Sequence, residues 1–442
     1  MSTVYTGVKP KLSFWQIWNM CFGFFGIQFG WSLQMGNMSA IYEFLGASPE
    51  QIPGLWLAAP MTGLLVQPII GYLSDHTWHP KLGRRRPYFL VGAILSSLAL
   101  FVMPNSPTVW MAAGTLWILD SCINISMEPF RAFVGDNLND KQMSFGYAMQ
   151  SMFIGLASFI AGYLPTVLVE WFHISRDKVG GGIPKNIMYS FYIGGAVFLT
   201  AVLYTIIFSK EYPPSDENWK EKKKEKGAGI VAEILDAIKN MPLQMKKLAL
   251  VNFLTWPGLF LMWFYYSTGV AADIFGGNAK TNAEVYTKGL EHANATSAIL
   301  NLVTFAFSFS LPFIVSKIGK KLTHTTCLLI GGIGLISVAY IHNPSNLFIA
   351  MGMVGIAWAS ILSMPYSMLA GCLPKEKMGV YMGIFNFFIV LPEILASLFF
   401  GKFMENVLHN DRLMAVQLGG CLLCAAGIVC AIIIKENKEV AA

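Results

Sequence analysis

The sequence predicts an all-α polytopic membrane protein of twelve transmembrane helices in two pseudo-symmetric six-helix bundles. Three observations lead there. Of its 442 residues, 55% are hydrophobic and 13% charged, with mean hydropathy +0.53, far more apolar than a soluble domain. Windows of about 20 apolar residues place spans at 14–35, 52–73, 86–104, 108–133, 143–171, 187–208, 245–270, 295–316, 323–342, 346–370, 377–401 and 414–435. The one long charged segment, Lys210 to Lys247, falls between the sixth and seventh spans. It divides the chain into a first bundle at 1–209, a cytoplasmic linker at 210–244 and a second bundle at 245–442.

Taken in order, Lys9 and Lys11 lead straight into a full-length first span, which is not the pattern of a cleavable signal. With both termini cytoplasmic, 24 of the 31 basic residues fall on or near the inner side. The positive-inside rule therefore favours that topology in a plasma or bacterial inner membrane. The linker, with Lys220-Glu221-Lys222-Lys223-Lys224-Glu225-Lys226, reads as a solvated segment with a surface helix, a regulatory role being the alternative. All seven cysteines lie in or beside apolar segments and read as small buried residues. The net charge of +6 reflects this topology and does not indicate nucleic acid binding.

A faint internal repeat relates the two halves. Ser126-Met127-Glu128-Pro129-Phe130 resembles Ser363-Met364-Pro365-Tyr366 at offsets of about 235 to 237, making the fourth and tenth spans equivalent. The loop from Gly71 to Arg86 has a weaker echo at Ser316-Lys317-Ile318-Gly319-Lys320-Lys321. Two similar halves around a midplane site are how many secondary transporters are built.

The fourth span carries the densest chemistry. At 100° per residue, Asp120, Asn124, Glu128 and Arg131 fall within about 80° of one another. Each charge in a bilayer costs about 2.5–3.5 kcal/mol on insertion scales, so this face must meet a cavity or a partner. Asp120 lies near the midplane and is the candidate proton carrier; the alternative is a permanently charged Asp that binds hydroxyls or holds helices together. Glu128 and Arg131, at i,i+3, are expected to pair near the inner end, or else Glu128 is a second proton or sugar site. Pro129 removes a backbone donor there.

Candidate polar contacts for a substrate are Gln34, Asn37, Asn124, Gln150, Asn252, Tyr266, Asn386 and Glu393, and candidate aromatic platforms are Trp31, Trp256, Trp263 and Trp358. Glu393, alone within its span, has an interhelical hydrogen bond as its alternative role. No histidine lies mid-span, no phosphate loop appears, and no nucleophile and base constellation is discernible. The chain is therefore expected not to be an enzyme and to need no metal or cofactor beyond a coupling ion.

The loop after the second span resembles the signature of the major facilitator superfamily: Gly71, Asp75, Gly83, then Arg84-Arg85-Arg86. The spacing from Asp75 to Gly83 is longer than usual and is similar to that of the sucrose transporters and related glycoside-pentoside-hexuronide:cation symporters. Gln28-Phe29-Gly30-Trp31-Ser32-Leu33-Gln34, Trp117-Ile118-Leu119-Asp120, Pro129-Phe130-Arg131-Ala132, Leu254-Thr255-Trp256 and Gly383-Ile384-Phe385-Asn386 carry the same likeness. The resemblance implies proton-coupled uptake of a disaccharide or glucoside such as sucrose or maltose by a protein working as a monomer. It implies that Asp120 takes and releases the proton, that Arg131 closes the same helix, and that Gly71, Asp75, Gly83 and Arg84–Arg86 gate one alternating state. Span two lacks the carboxylates of sodium-coupled relatives, which favours protons over the alternatives, a sodium-coupled or uncoupled glycoside carrier and, more remotely, a non-transporting membrane sugar sensor. Glu128, Glu393 and Tyr265-Tyr266-Ser267-Thr268-Gly269 depart from the family pattern, so coupling detail and sugar preference are open.

Overall fold

The computed structural model describes residues 10–75, 77–79, 82–138, 140–179, 182–211, 239–370 and 378–435; most of the expected linker lies outside them. The helices are α1 Phe14–Cys21, α2 Gly23–Phe44, α3 Ala58–Asp75, α4 Arg86–Val102, α5 Val109–Asn137, α6 Asp140–Glu170 and α7 Lys185–Phe208. After the linker come α8 Leu243–Gly269, α9 Ala283–Ser308, α10 Leu311–Val338, α11 Leu347–Ala370, α12 Met378–Asn406 and α13 Arg412–Ile433. Among the described residues, ten helical stretches are long and apolar enough to cross a membrane. Together with the α1–α2 pair and the more polar α9 they make the twelve-helix bundle that the hydropathy predicts.

Helix ends follow local chemistry. Ser13 caps α1 in a reciprocal box with Gln16, Thr108 accepts from the Met111 N–H at the start of α5, and Asp411 accepts from the Met414 N–H at the start of α13. Gly83 (φ +80°) and Gly319 (φ +81°) take the left-handed conformation that only glycine adopts cheaply. They stand 236 residues apart, as do Pro129 inside α5 and Pro365 inside α11. The repeat faint in the sequence is thus present in the backbone.

Within the first half, α2 packs on α5, α6 and α7, α4 on α5 and α7, and α3 on α5; within the second, α10 packs on α11 and α13, α8 on α12 and α13, and α9 on α11. The halves meet along α6 with α9 and α2 with α8, and where α12 crosses the turn Pro49–Gln51, the short helix Ile52–Leu55 and α3. Phe130, next to Pro129, packs on Phe89 with the rings tilted by 31° (centroids 4.5 Å) and meets Phe24 edge-on (5.1 Å), fixing α5 against α4 and α2.

One boundary differs from the hydropathy reading. The eighth span begins at Ala283, not near 295, because its first turns carry Glu284, Lys288, Glu291 and His292, which lower the mean hydropathy. Glu291 and Asn294 are nevertheless buried, since this polar end packs against the other half. Leu311–Val338 is interrupted at Gly319, whose φ +81° and ψ +164° are not helical, so the break falls between the eighth and ninth spans where the sequence places it.

Candidate functional site

A cavity of about 860 Å³, including its mouth, lies between the halves. Helix α2 contributes Trp31, Ser32, Met35 and Gly36, and α6 contributes Ser158 and Gly162. From the second half come Met262, Trp263 and Tyr266 of α8, Asn294, Ser297 and Asn301 of α9, and Trp358 of α11. Trp358 meets Trp263 (5.8 Å, 89°) and Trp256 (5.9 Å, 79°) edge-on, so each ring fixes the next. Polar groups alternate with these walls. Ser32 donates to Ser158 (2.9 Å), Gln28 donates to Ser158 (3.1 Å), and the Tyr266 hydroxyl pairs with Thr296 (2.6 Å). Among the described residues, no charged side chain lines this cavity. Flat rings with uncharged donors and acceptors suit a neutral ligand that presents both C–H faces and hydroxyls.

Asp120 lies one layer away, inside the first half. It is 3% exposed and accepts from Gln34 Nε2 at 2.7 Å, and among the described residues it has no ion pair. Asn124, one turn on, donates to the Asp120 carbonyl (2.9 Å) and to Thr62 (3.3 Å) and accepts from Gln67 (2.7 Å). Helix α2 therefore meets the Asp120 carboxylate through Gln34, while α3 meets Asn124 one turn further along α5.

The two ends of the molecule hold their charges differently. At the end reached by α2, Arg412 donates twice to Glu43, both at 3.0 Å, and Tyr286 donates to the same carboxylate at 2.7 Å. Arg176 donates twice to Glu291 (2.9 and 2.8 Å), which also accepts from Asn186 (2.8 Å). The first pair sets a first-half carboxylate against a second-half arginine, and the other reverses the roles. Tyr265 donates to the Pro49 carbonyl (2.9 Å), and Lys178 donates to the Ala279 carbonyl. Burial lowers the Lys178 pKa, helped by Lys280 nearby. Gly36 completes this closure, since a Cβ there would lie 2.5 Å from Asn294 Oδ1. Asn294 in turn donates to Asn37 at 3.0 Å.

At the opposite end the described ion pairs stay within the first half. Arg84 and Arg85 both donate to Asp136 at 2.9 Å, and Arg85 also donates to Ser74 (2.5 Å). Glu211 accepts from the Arg85 backbone N–H (2.9 Å) and Arg86 donates to the Ile206 and Ser209 carbonyls, tying α7 to the start of α4. Burial pushes the Glu211 pKa above the usual carboxylate range, opposed by the backbone N–H groups of Arg84–Arg86.

Of the residues singled out in the sequence, Trp31, Trp263, Tyr266 and Trp358 meet in the cavity, and Trp256 backs Trp358. Others lie elsewhere. Gln34 and Asn124 belong to the Asp120 cluster, and Asn37 bridges to Asn294. Gln150, Asn252 and Glu393 are buried but do not line this cavity, and Asn386 is exposed. Glu128 is half-buried and Arg131 exposed; among the described residues they form no ion pair with each other. The expected local pair is therefore corrected: solvent at this end hydrates Arg131, which removes the drive to pair. The side chain of Asp75 lies outside the described residues. Sequence reasoning missed Ser158, Asn294 and Asn301 in the cavity and Glu43, Arg412, Arg176 and Glu291 at the closed end. Most of them sit near a predicted loop or span end, where a polar residue is unremarkable until its partner is known, and Ser158 is a single mid-span serine.

Comparison with known proteins gives this geometry its context. Residues 20–397 match the model of the Major Facilitator Superfamily. Relatives include Sucrose transport protein SUT5 of Oryza sativa (22% identical, covering 94% of this chain and 86% of that one). Sucrose transport protein SUC4 of Arabidopsis thaliana is 23% identical, with 93% and 88% covered. Among solved structures, a mutant of the nucleoside transporter NupG superposes with a TM-score of 0.74 at 14% identity, over 95% of this chain and 99% of that one. A bacterial homolog of the human lysosomal transporter Spinster, in an inward-facing and unoccupied conformation, reaches 0.65 at 12% identity, over 95% of both chains. With a twelve-helix fold, a cavity between its halves and a family match over most of its length, the chain belongs to the major facilitator superfamily of membrane transporters.

Proposed function

We propose that this transporter carries a neutral disaccharide or glucoside of the sucrose or maltose class into the cell together with a proton. The observation that carries the proposal is the uncharged, tryptophan-walled cavity with a buried, ion-pair-free carboxylate, Asp120, one helix layer away. Sugars present flat C–H faces to aromatic rings and hydroxyls to groups such as Ser32, Ser158, Asn294 and Asn301. The names of the sucrose transport relatives support the same substrate class. A proton on Asp120 removes a charge from the interior, which lowers the cost of moving the first half against the second.

In this reading the halves are 1–209 and 245–442, and the Arg84–Arg86 end faces the cytoplasm with both termini, as the bias of basic residues favours. The protein lies in the cell membrane, works as a monomer and is caught open to the cytoplasm, with the Glu43–Arg412 end closed. The test is purified protein in liposomes, with sucrose and maltose offered in turn under external pH recording. Sugar addition is expected to alkalinise the medium as sugar accumulates. Asp120→Asn is expected to abolish accumulation while leaving counterflow, and Trp358→Ala to weaken sugar affinity about tenfold, roughly 1.4 kcal/mol. Sugar movement without proton movement, or accumulation intact in Asp120→Asn, would remove the proton from the mechanism.

A further inference from the structure

Gln34 and Asp120 share a single hydrogen bond, from Gln34 Nε2 to Asp120 Oδ1. The other oxygen of each group, Gln34 Oε1 and Asp120 Oδ2, is buried without a partner. Both are acceptors. The site is therefore short of one donor, and the shortage falls on the two halves of one bonded pair. Among the described residues, no neighbour supplies it. Tyr42 donates to the Leu55 carbonyl, Asn124 to Thr62 and to the Asp120 carbonyl, and Gln67 to Asn124. Helices α3, α4 and α6, packed around α5, carry charged side chains only at their ends, and Glu128 lies two turns along α5 itself.

Resting on the reading that Asp120 carries the proton, we infer that Gln34 is the proton's second ligand and the element that reports its presence to the sugar cavity. A proton on Asp120 Oδ2 donates to Gln34 Oε1, while Nε2 continues to donate to Oδ1, so the carboxylic acid and the primary amide close a ring of two hydrogen bonds. When the proton leaves, Oδ2 and Oε1 become two facing acceptors and the ring opens. Gln34 sits in the middle of α2, between Trp31 and Ser32 on one side and Met35 and Gly36 on the other, four residues that line the cavity. Its next turn carries Asn37, which accepts from Asn294 of the second half. The state of the ring thus sets the position of the α2 face that meets both the sugar and the other half. Gln34 is a positioning residue here and does not touch the sugar.

The experiment titrates sucrose against the intrinsic tryptophan fluorescence of the purified protein at low and at high pH, and records the pH-difference infrared spectrum. In the wild type, sucrose is expected to bind more tightly at low pH, by roughly 5–150-fold, the usual range for coupled sites. Gln34→Met, similar in volume, is expected to bring that ratio close to one. It should also move the carbonyl band of protonated Asp120, identified by its absence in Asp120→Asn, to higher frequency as the acid loses its acceptor. Wild-type counterflow at saturating sucrose certifies folding. If Gln34→Met lacks counterflow, Gln34→Glu carries the test. Its ring needs two protons, so the pH dependence returns with a steeper slope, whereas a slope unchanged from wild type overturns the inference. A wild-type ratio and an unmoved band in Gln34→Met also overturn it. The two levels separate cleanly: a pH-dependent ratio persisting in Asp120→Asn removes the proton reading itself, whereas a ratio lost there but kept in Gln34→Met removes only the role of Gln34.

Discussion

The two ends of this transporter hold their described ion pairs differently. At the Glu43 end, buried carboxylates and arginines pair across the halves, Glu43 with Arg412 and Arg176 with Glu291. At the Arg85 end, the described pairs, Arg84 and Arg85 with Asp136, link helices of the same half, and Asp136 is 34% exposed. A buried pair that crosses a moving interface must be broken and solvated whenever the interface opens, so it sets the balance between states. A half-exposed pair inside one half travels with it, and it chiefly fixes α4 against α5. The reciprocal polarity at the closed end also limits slippage, because sliding one half past the other sets like charges together.

The largest effect on this contrast is expected from Arg412→Gln. Removing the arginine of a buried pair leaves Glu43 with the Tyr286 hydroxyl but no cation, at a cost of about 3 kcal/mol. That cost is relieved when this end opens to water, so the balance should swing toward the opposite state. Single-molecule distance measurements across the Glu43 end would then read mostly long distances without sugar. The double exchange Glu43→Arg with Arg412→Glu is expected to recover part of the closed population, which a simple packing defect would not do. Next comes Gly36→Ala, whose added carbon must displace Asn294 by overpacking worth about 1–3 kcal/mol. The same distances should lengthen, but less than in Arg412→Gln. The smallest effect belongs to Asp136→Asn. Asp136 is 34% exposed and Arg85, though buried, keeps Ser74 as a partner, so the loss is expected to be about 1 kcal/mol, and thermal unfolding in detergent should fall by a few degrees while the distances at the Glu43 end stay put.

Much of the fold was legible because lipid imposes it. Apolar windows located the helices, and the offset shared by Pro129 and Pro365 reappears as the pair of left-handed glycines Gly83 and Gly319. Where polar residues face another helix instead of water, hydropathy misplaces the boundary, as at the start of α9. The site was less legible. Helical periodicity groups Asp120 with Asn124 correctly, but it cannot say which helix a face meets. Gln34 accordingly reads as a sugar contact beside Trp31, yet the packing turns it to Asp120 while Trp31 enters the cavity. Glu43 and Arg412 lie 369 residues apart, and neither looks unusual alone. The one local hint was Glu43 itself, an acid within the apolar run from Ile41 to Leu45.

The most direct test of the contrast is a pair of distances in one sample, one across the Glu43 end and one across the Arg85 end, followed as sucrose and protons are supplied to protein in liposomes. Alternating access predicts opposite changes: in the state described here the Glu43-end distance is short, and conditions that populate the other state lengthen it while the Arg85-end distance shortens. Two distances that change together, or a Glu43 end that stays closed while sugar is transported, would contradict the account.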